Sequence, residues 1–288
     1  MITTSALSKT MPMPKKRANT FAIVTHTLST ARMLIVTAGC YNLFIAIILV
    51  ALYPTMSQAN LSAFLNAYLS TGVVAGLLGG HMTHVSGFTT FLALYAYSAF
   101  NAVLYAGILA YIGGTAIPLN IENGMLDLML ARPIGRVRYY LETWCAIAIA
   151  TVITSLFTLA FTWGSTFFVA HPDINWQWLT ITQLVQLSFY FLAGSLGLLL
   201  GSFINTSRAA AGTAAGLVAL TYLLNTFGNL SSKFNWLLKI TPFYYAPSID
   251  PLVQHQLTWW HPWVLVLVGL VFGIVGLAVF ARKDLPTV

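Results

Sequence analysis

Six stretches of this chain stay apolar for twenty residues or more without a single Asp, Glu, Lys or Arg: Met33–Tyr53, Phe88–Gly113, Trp144–Val169, Leu179–Ile204, Ala209–Gly228 and Pro262–Ala281. About 20 such residues carry a helix across a bilayer core. The runs are continuously apolar, without the in-and-out alternation of barrel strands, so helices are the spanning elements. Charged residues make up 7% of the 288, against roughly 25% in soluble proteins. That is too few to cover a water-facing surface. The sequence therefore predicts an all-α polytopic membrane protein.

The distribution of Lys and Arg sets the topology. With six spans and an inside amino terminus, Lys9, Lys15, Lys16, Arg17, Arg32, Arg132, Arg136, Arg138, Arg208, Arg282 and Lys283 fall on the cytoplasmic side, leaving Lys233 and Lys239 outside. Positive residues in short loops mark the inner face. A seventh apolar stretch, Leu61–Gly80, would split this set if it crossed; its Asn66, Ser70 and four glycines suit an interfacial or re-entrant helix. Both termini are then cytoplasmic, and Trp176, Trp178, Tyr244, Tyr245, Trp259, Trp260 and Trp263 line the outer headgroup level. The net charge of +7 is accounted for by orientation, not by nucleic-acid binding. Residues 1–20 read as a flexible cytoplasmic tail and 21–288 as one transmembrane domain. Between them, Phe21, Ile23, Val24 and Leu28 interleave with Thr25, His26 and Ser29, as in a helix lying along the inner surface or in the start of the first span.

The second cytoplasmic loop is the most informative segment. Glu122, Leu126 and Leu130 recur at four-residue spacing, Pro133 and Gly135 close the helix, and Arg132, Arg136 and Arg138 follow the acids Glu122 and Asp127. Such a short amphipathic helix either inserts into a groove on a partner or rests its leucines on lipid.

The run Glu122-Asn-Gly124-Met-Leu126-Asp127-Leu-Met-Leu130-Ala-Arg132-Pro133-Ile-Gly-Arg136 resembles the segment after the second span of type-2 ABC exporter permeases. Gly197–Gly201 with Arg208–Gly212, Thr241-Pro-Phe-Tyr-Tyr-Ala-Pro247 and Phe280–Leu285 resemble further family segments in the expected order. The resemblance implies a permease subunit whose coupling segment, Glu122, Gly124, Leu126, Asp127, Leu130, Arg132, Pro133 and Arg136, docks on a separate cytoplasmic ABC ATPase. It also implies two ATPase copies, a second permease copy forming a homodimer, and ATP with Mg held by the ATPase. Met125 stands where the family commonly has Thr.

The chain has no Gly-x-x-x-x-Gly-Lys-[Ser/Thr] phosphate loop and no evident catalytic constellation, so it reads as a non-enzyme. Cys40 and Cys145 lie within apolar runs. His81 and His84 form the one close histidine pair, with no carboxylate nearby to complete a metal site. Asp173 and Asp250 read as solvated turn residues.

Polar residues within spans are uncharged. Asn101, Tyr105, Thr221 and Asn225 are candidates for lining a substrate path. Gln183, Gln186 and Tyr190 continue into Gly194, Gly197 and Gly201 as a stripe, and Gly212 with Gly216 and Gly269 with Gly273 and Gly276 mark further close helix contacts. Without buried charge, a proton- or sodium-coupled carrier is disfavoured; lipophilic, peptide-like or drug-like cargo fits better. The alternatives are an ABC-type subunit with a membrane-assembly role and a stand-alone carrier or channel.

Overall fold

The computed structural model describes residues 21–55, 87–126, 135–169, 172–230 and 232–283. Leu61–Gly80, His81, His84, Asp127, Leu130, Arg132 and Pro133 lie outside them. Every regular element among the described residues is helical: α1 (Ala22–Leu52), α2 (Gly87–Tyr95), α3 (Ala99–Ala116), α4 (Pro118–Glu122), α5 (Arg136–Thr166), α6 (Trp176–Phe203), α7 (Ser207–Leu230), α8 (Asn235–Leu238), α9 (Pro242–Tyr245) and α10 (Trp260–Arg282), with short 3₁₀ turns at Tyr53–Thr55 and Ser232–Phe234 and a π-helical turn at Asp250–Gln254. Six helical segments are long and apolar enough to cross a membrane: α1, α3 continued by α4, α5, α6, α7 and α10. Their exposed apolar side chains, such as Met33, Phe44, Trp163, Leu223 and Ile274, form the belt a bilayer covers. The chain is a multi-pass membrane protein.

Hydropathy located the last three spans to within three residues. The helices that carry the first three depart further from the apolar runs. Phe21–Ser29 does not form a separate surface helix; α1 is one continuous helix of 31 residues. Ile23 is fastened into the bundle beside Ile117 and Phe280, and no proline interrupts the run. The second span starts at Ala99 instead of Phe88, because the chain breaks at Ala96–Ser98. Asn101 closes this break from both sides: its backbone N–H donates to Ser98 Oγ, and its Nδ2 donates to the carbonyl of Tyr95, the last residue of α2. The helix of the third span starts at Arg136, well before the apolar run that begins at Trp144. Its first turn is polar but helical, with Arg138 Nε donating to Glu142 Oε1 at 2.7 Å. At 1.5 Å per residue, α1 and α5 are each about 46 Å long, so both extend beyond a hydrocarbon core of about 30 Å.

Asp173 is also reassigned. Its Oδ1 accepts the Thr89 N–H at 3.1 Å and its carbonyl accepts the Thr89 hydroxyl at 2.5 Å, so it caps the start of α2 from the α5–α6 connection. Gly87 makes this possible, since its φ is +77° and a Cβ there would strike the Asp173 carboxylate.

At the centre stands α6, the most enclosed span, packed on α3, α5, α7 and α10. The α3–α6 contact is backbone on backbone. A Cβ at Gly197 would collide with the Ala110 carbonyl oxygen, and one at Gly113 with the Gly194 carbonyl oxygen. Gly114 similarly meets α7, where a Cβ would lie 2.8 Å from Ala211 Cα. Small residues at such spacing allow helices in lipid to approach closely. In α10, Gly269, Gly273 and Gly276 receive Phe191, Trp144 and Tyr140. Gly212 and Gly216 of α7 differ, since a Cβ on either meets nothing within 4 Å.

This contrast gives a direct check. Gly197→Ala should lower stability by about 1–3 kcal/mol through overpacking, while Gly212→Ala should leave it unchanged or slightly higher. Thermal unfolding of both variants in the same lipid or detergent would measure the difference.

Candidate functional site

One end of the bundle collects most of the basic residues among the described residues and one terminus of each of the six spanning segments. There Glu122, at the end of α4, reaches the first residue of α7: Oε1 accepts the Ser207 N–H at 2.8 Å and Oε2 the Ser207 hydroxyl at 2.5 Å. A helix start exposes unpaired N–H groups and a partial positive charge, so a carboxylate is the fitting partner. The opposite cap closes α6. Lys283 Nζ donates to the carbonyls of Ser202 (2.8 Å) and Phe203 (3.3 Å), where a cation complements the helix C-terminus. Partial burial pushes the Lys283 ammonium below the ordinary lysine pKa. Arg136, opening α5, donates to the Lys283 carbonyl at 2.8 Å.

Beneath these caps, Asn120 joins three helices. Its Nδ2 donates to the Tyr139 hydroxyl at 2.9 Å, and its Oδ1 lies 3.2 Å from His26 Nε2. A cavity of about 170 Å³ lies alongside, lined in part by Thr27, Thr115, Asn120 and Ser207.

The expected coupling residues therefore separate. Glu122 is exposed yet already engaged within the chain. Gly124 adopts φ +64° in open space; its N–H bonds the Ile121 carbonyl at 3.0 Å, and the left-handed turn ends α4. Leu126 does not face outward as the four-residue spacing suggested. It is 2% exposed and packs with Ile23, Ile117, Tyr139, Tyr140 and Phe280, because the turn at Gly124 interrupts the helical period. Among the described residues of this loop, Met125, at 37% exposure, presents an apolar side chain. Ser207 and Asn120 carry no signal in the sequence, and Lys283 stands out there only as an inner-face cation; their partners are remote in sequence, so no local spacing reveals the contacts.

The expected path residues lie farther along the bundle. Asn101 and Tyr105 are buried in α3. Asn101 Oδ1 accepts from the Tyr41 hydroxyl, so its amide is consumed by the break and by α1. Tyr105 packs edge-on between Tyr41 and Tyr190, with ring centroids 5.8 and 5.9 Å away. The aromatic seam continues through Phe189 to Phe243 (4.8 Å) and on to Tyr222 (5.6 Å). Asn225 accepts from the Thr241 hydroxyl at 3.4 Å, anchoring the connection before α9. Thr221 turns its hydroxyl to the Val218 carbonyl at 2.8 Å. The structure thus brings Asn101 and Tyr105 together and leaves Thr221 and Asn225 on a separate helix across the seam. No group of three or more His, Cys, Asp or Glu side chains capable of holding a metal occurs among the described residues.

Residues 93–281, about two thirds of the chain, match a family model described as Multidrug efflux system permease Rv1217c, C-terminal domain. The matched region holds the aromatic seam from Tyr105 onward and the Glu122–Ser207 contact. No curated protein matches the chain.

The Glu122–Ser207 contact can be tested by a double-mutant cycle. Glu122→Ala and Ser207→Ala should each cost about 1 kcal/mol or less, as for an exposed cap. The pair together should cost clearly less than the sum, read from thermal unfolding midpoints.

Proposed function

Because this chain belongs to the multidrug efflux permease family matched over residues 93–281, we propose that it is the membrane-spanning subunit of an ATP-driven exporter, working with a separate ABC-type ATPase. The single observation that carries the coupling is the fastening of Glu122–Arg136 at both ends. Glu122 holds the start of α7, and Arg136 holds the end of α10. A force on either end of this segment has a direct side-chain link to a further span, α7 through Glu122 and α10 through Arg136.

In this reading both termini and the segment are cytoplasmic. Two permease copies, as a homodimer, meet two ATPases that carry ATP and Mg. Gly124, Met125, Asp127, Leu130, Arg132 and Pro133 form the docking surface, while Leu126 anchors that surface from within. Nucleotide binding drives alternating access only by favouring one state through a differential free energy. The bundle's uncharged interior suits lipophilic, peptide-like or drug-like cargo. Export is favoured over a membrane-assembly role or a stand-alone channel by the efflux family to which the chain belongs.

Met125→Asp tests docking with little disturbance of folding, since the side chain is exposed. The variant should insert normally but lose at least tenfold in cargo-stimulated ATPase activity when co-expressed with the ATPase. Glu122→Gln should keep the ATPase bound and reduce transport per ATP hydrolysed. Unchanged stimulation in Met125→Asp, measured on the purified complex, would remove the segment from the coupling path.

A further inference from the structure

A glutamine on the central helix lacks any partner. Gln186 is 3% exposed, and neither its Oε1 nor its Nε2 makes a hydrogen bond. Three residues earlier, Gln183 donates Nε2 to the Ser155 carbonyl (3.1 Å) and hydroxyl (2.5 Å) but leaves Oε1 unpaired. Neighbouring polar groups avoid this. Thr151, Thr154 and Thr182 each return their hydroxyl to a carbonyl four residues back on the same helix, a route open to short side chains. Gln186 makes no such bond. Water is scarce inside a bilayer, and a buried unpaired amide is costlier than an apolar side chain of the same size.

The unpaired atoms define what would satisfy them. Gln186 offers one donor group and one acceptor, and Gln183 a further acceptor, which complements a neutral group that both donates and accepts. The described spans supply no carboxylate for a cation here, since their acids, Glu122 and Glu142, lie at the basic end. One turn beyond Gln186, the rings of Tyr190 and Tyr105 stand 5.9 Å apart and supply an apolar flank.

Resting on the export reading above, we propose that Gln186 and Gln183 form a cargo subsite that binds the amide or hydroxyl group of an otherwise lipophilic, uncharged molecule. The described conformation holds this subsite closed. Gly113 and Gly114 keep α3 against α6 and α7 in the basic half, so opening the subsite requires the helices to part in the half that carries the glutamines.

The test uses the full-length permease in lipid nanodiscs, with empty nanodiscs correcting for partition into lipid. Decanamide should bind about tenfold or more tightly than N,N-dimethyldecanamide, which lacks the donor, and more tightly than decyltrimethylammonium. Gln186→Met should erase the preference between the two amides without lowering the unfolding temperature. The proposal is overturned if wild type binds the two amides equally or binds neither, if the cation binds best, or if Gln186→Met keeps the preference. The wild-type comparison stands even if that variant fails to fold. Amide preference without ATP-dependent efflux by the reconstituted complex would sink the export reading and leave the subsite standing.

Discussion

The backbone contact between α3 and α6 is the constraint on which the rest of the structure depends. In lipid, burying apolar surface against another helix gains little, because the surroundings are equally apolar; close packing has to hold the bundle together. Gly113 and Gly197 provide it by removing the side chains that would keep the two backbones apart. Gly114 extends the contact to Ala211 of α7. With α3 pinned between α6 and α7, its continuation α4 ends beside the start of α7. Glu122 can then reach Ser207 across 85 residues of sequence.

Both ends of the bundle combine side-chain caps with buried polar contacts, Asp173 capping α2 at one and Asn120 joining Tyr139 and His26 at the other. At the basic end, helix termini are closed by side chains of the correct sign, a carboxylate on the start of α7 and an ammonium on the end of α6. Toward the other end, polarity lies inside the bundle, in the break at Ser98, the Tyr41–Asn101 contact and the glutamines of α6.

Much of this architecture could be read from sequence, and the gaps have physical causes. Long uncharged runs locate spans wherever the whole run crosses, as for α6, α7 and α10. Hydropathy averages over Ala96–Ser98 because alanine, tyrosine and serine are not polar enough to register a break; the available clue was the Ser98-x-x-Asn101 spacing. The inward turn of Leu126 was hidden because helical periodicity was carried past Gly124, where the left-handed backbone ends it. The glycine stripes of α6 and α10 were recognisable as packing surfaces, yet the same spacing in α7 meets open space. Spacing identifies a narrow face but not its neighbour. The caps on α6 and α7 depend on residues distant in sequence, and only the folded chain brings them together.

The cap that Asp173 places on α2 has a mechanical consequence. The short helix is anchored at its start to the turn joining α5 and α6 and at its finish to Asn101 of α3. It therefore acts as a tie-rod between two crossings. Any rocking of the α5–α6 hairpin against α3 must rotate this strut or stretch its fastenings, so the geometry of the Ser98 elbow is set by the hairpin's position.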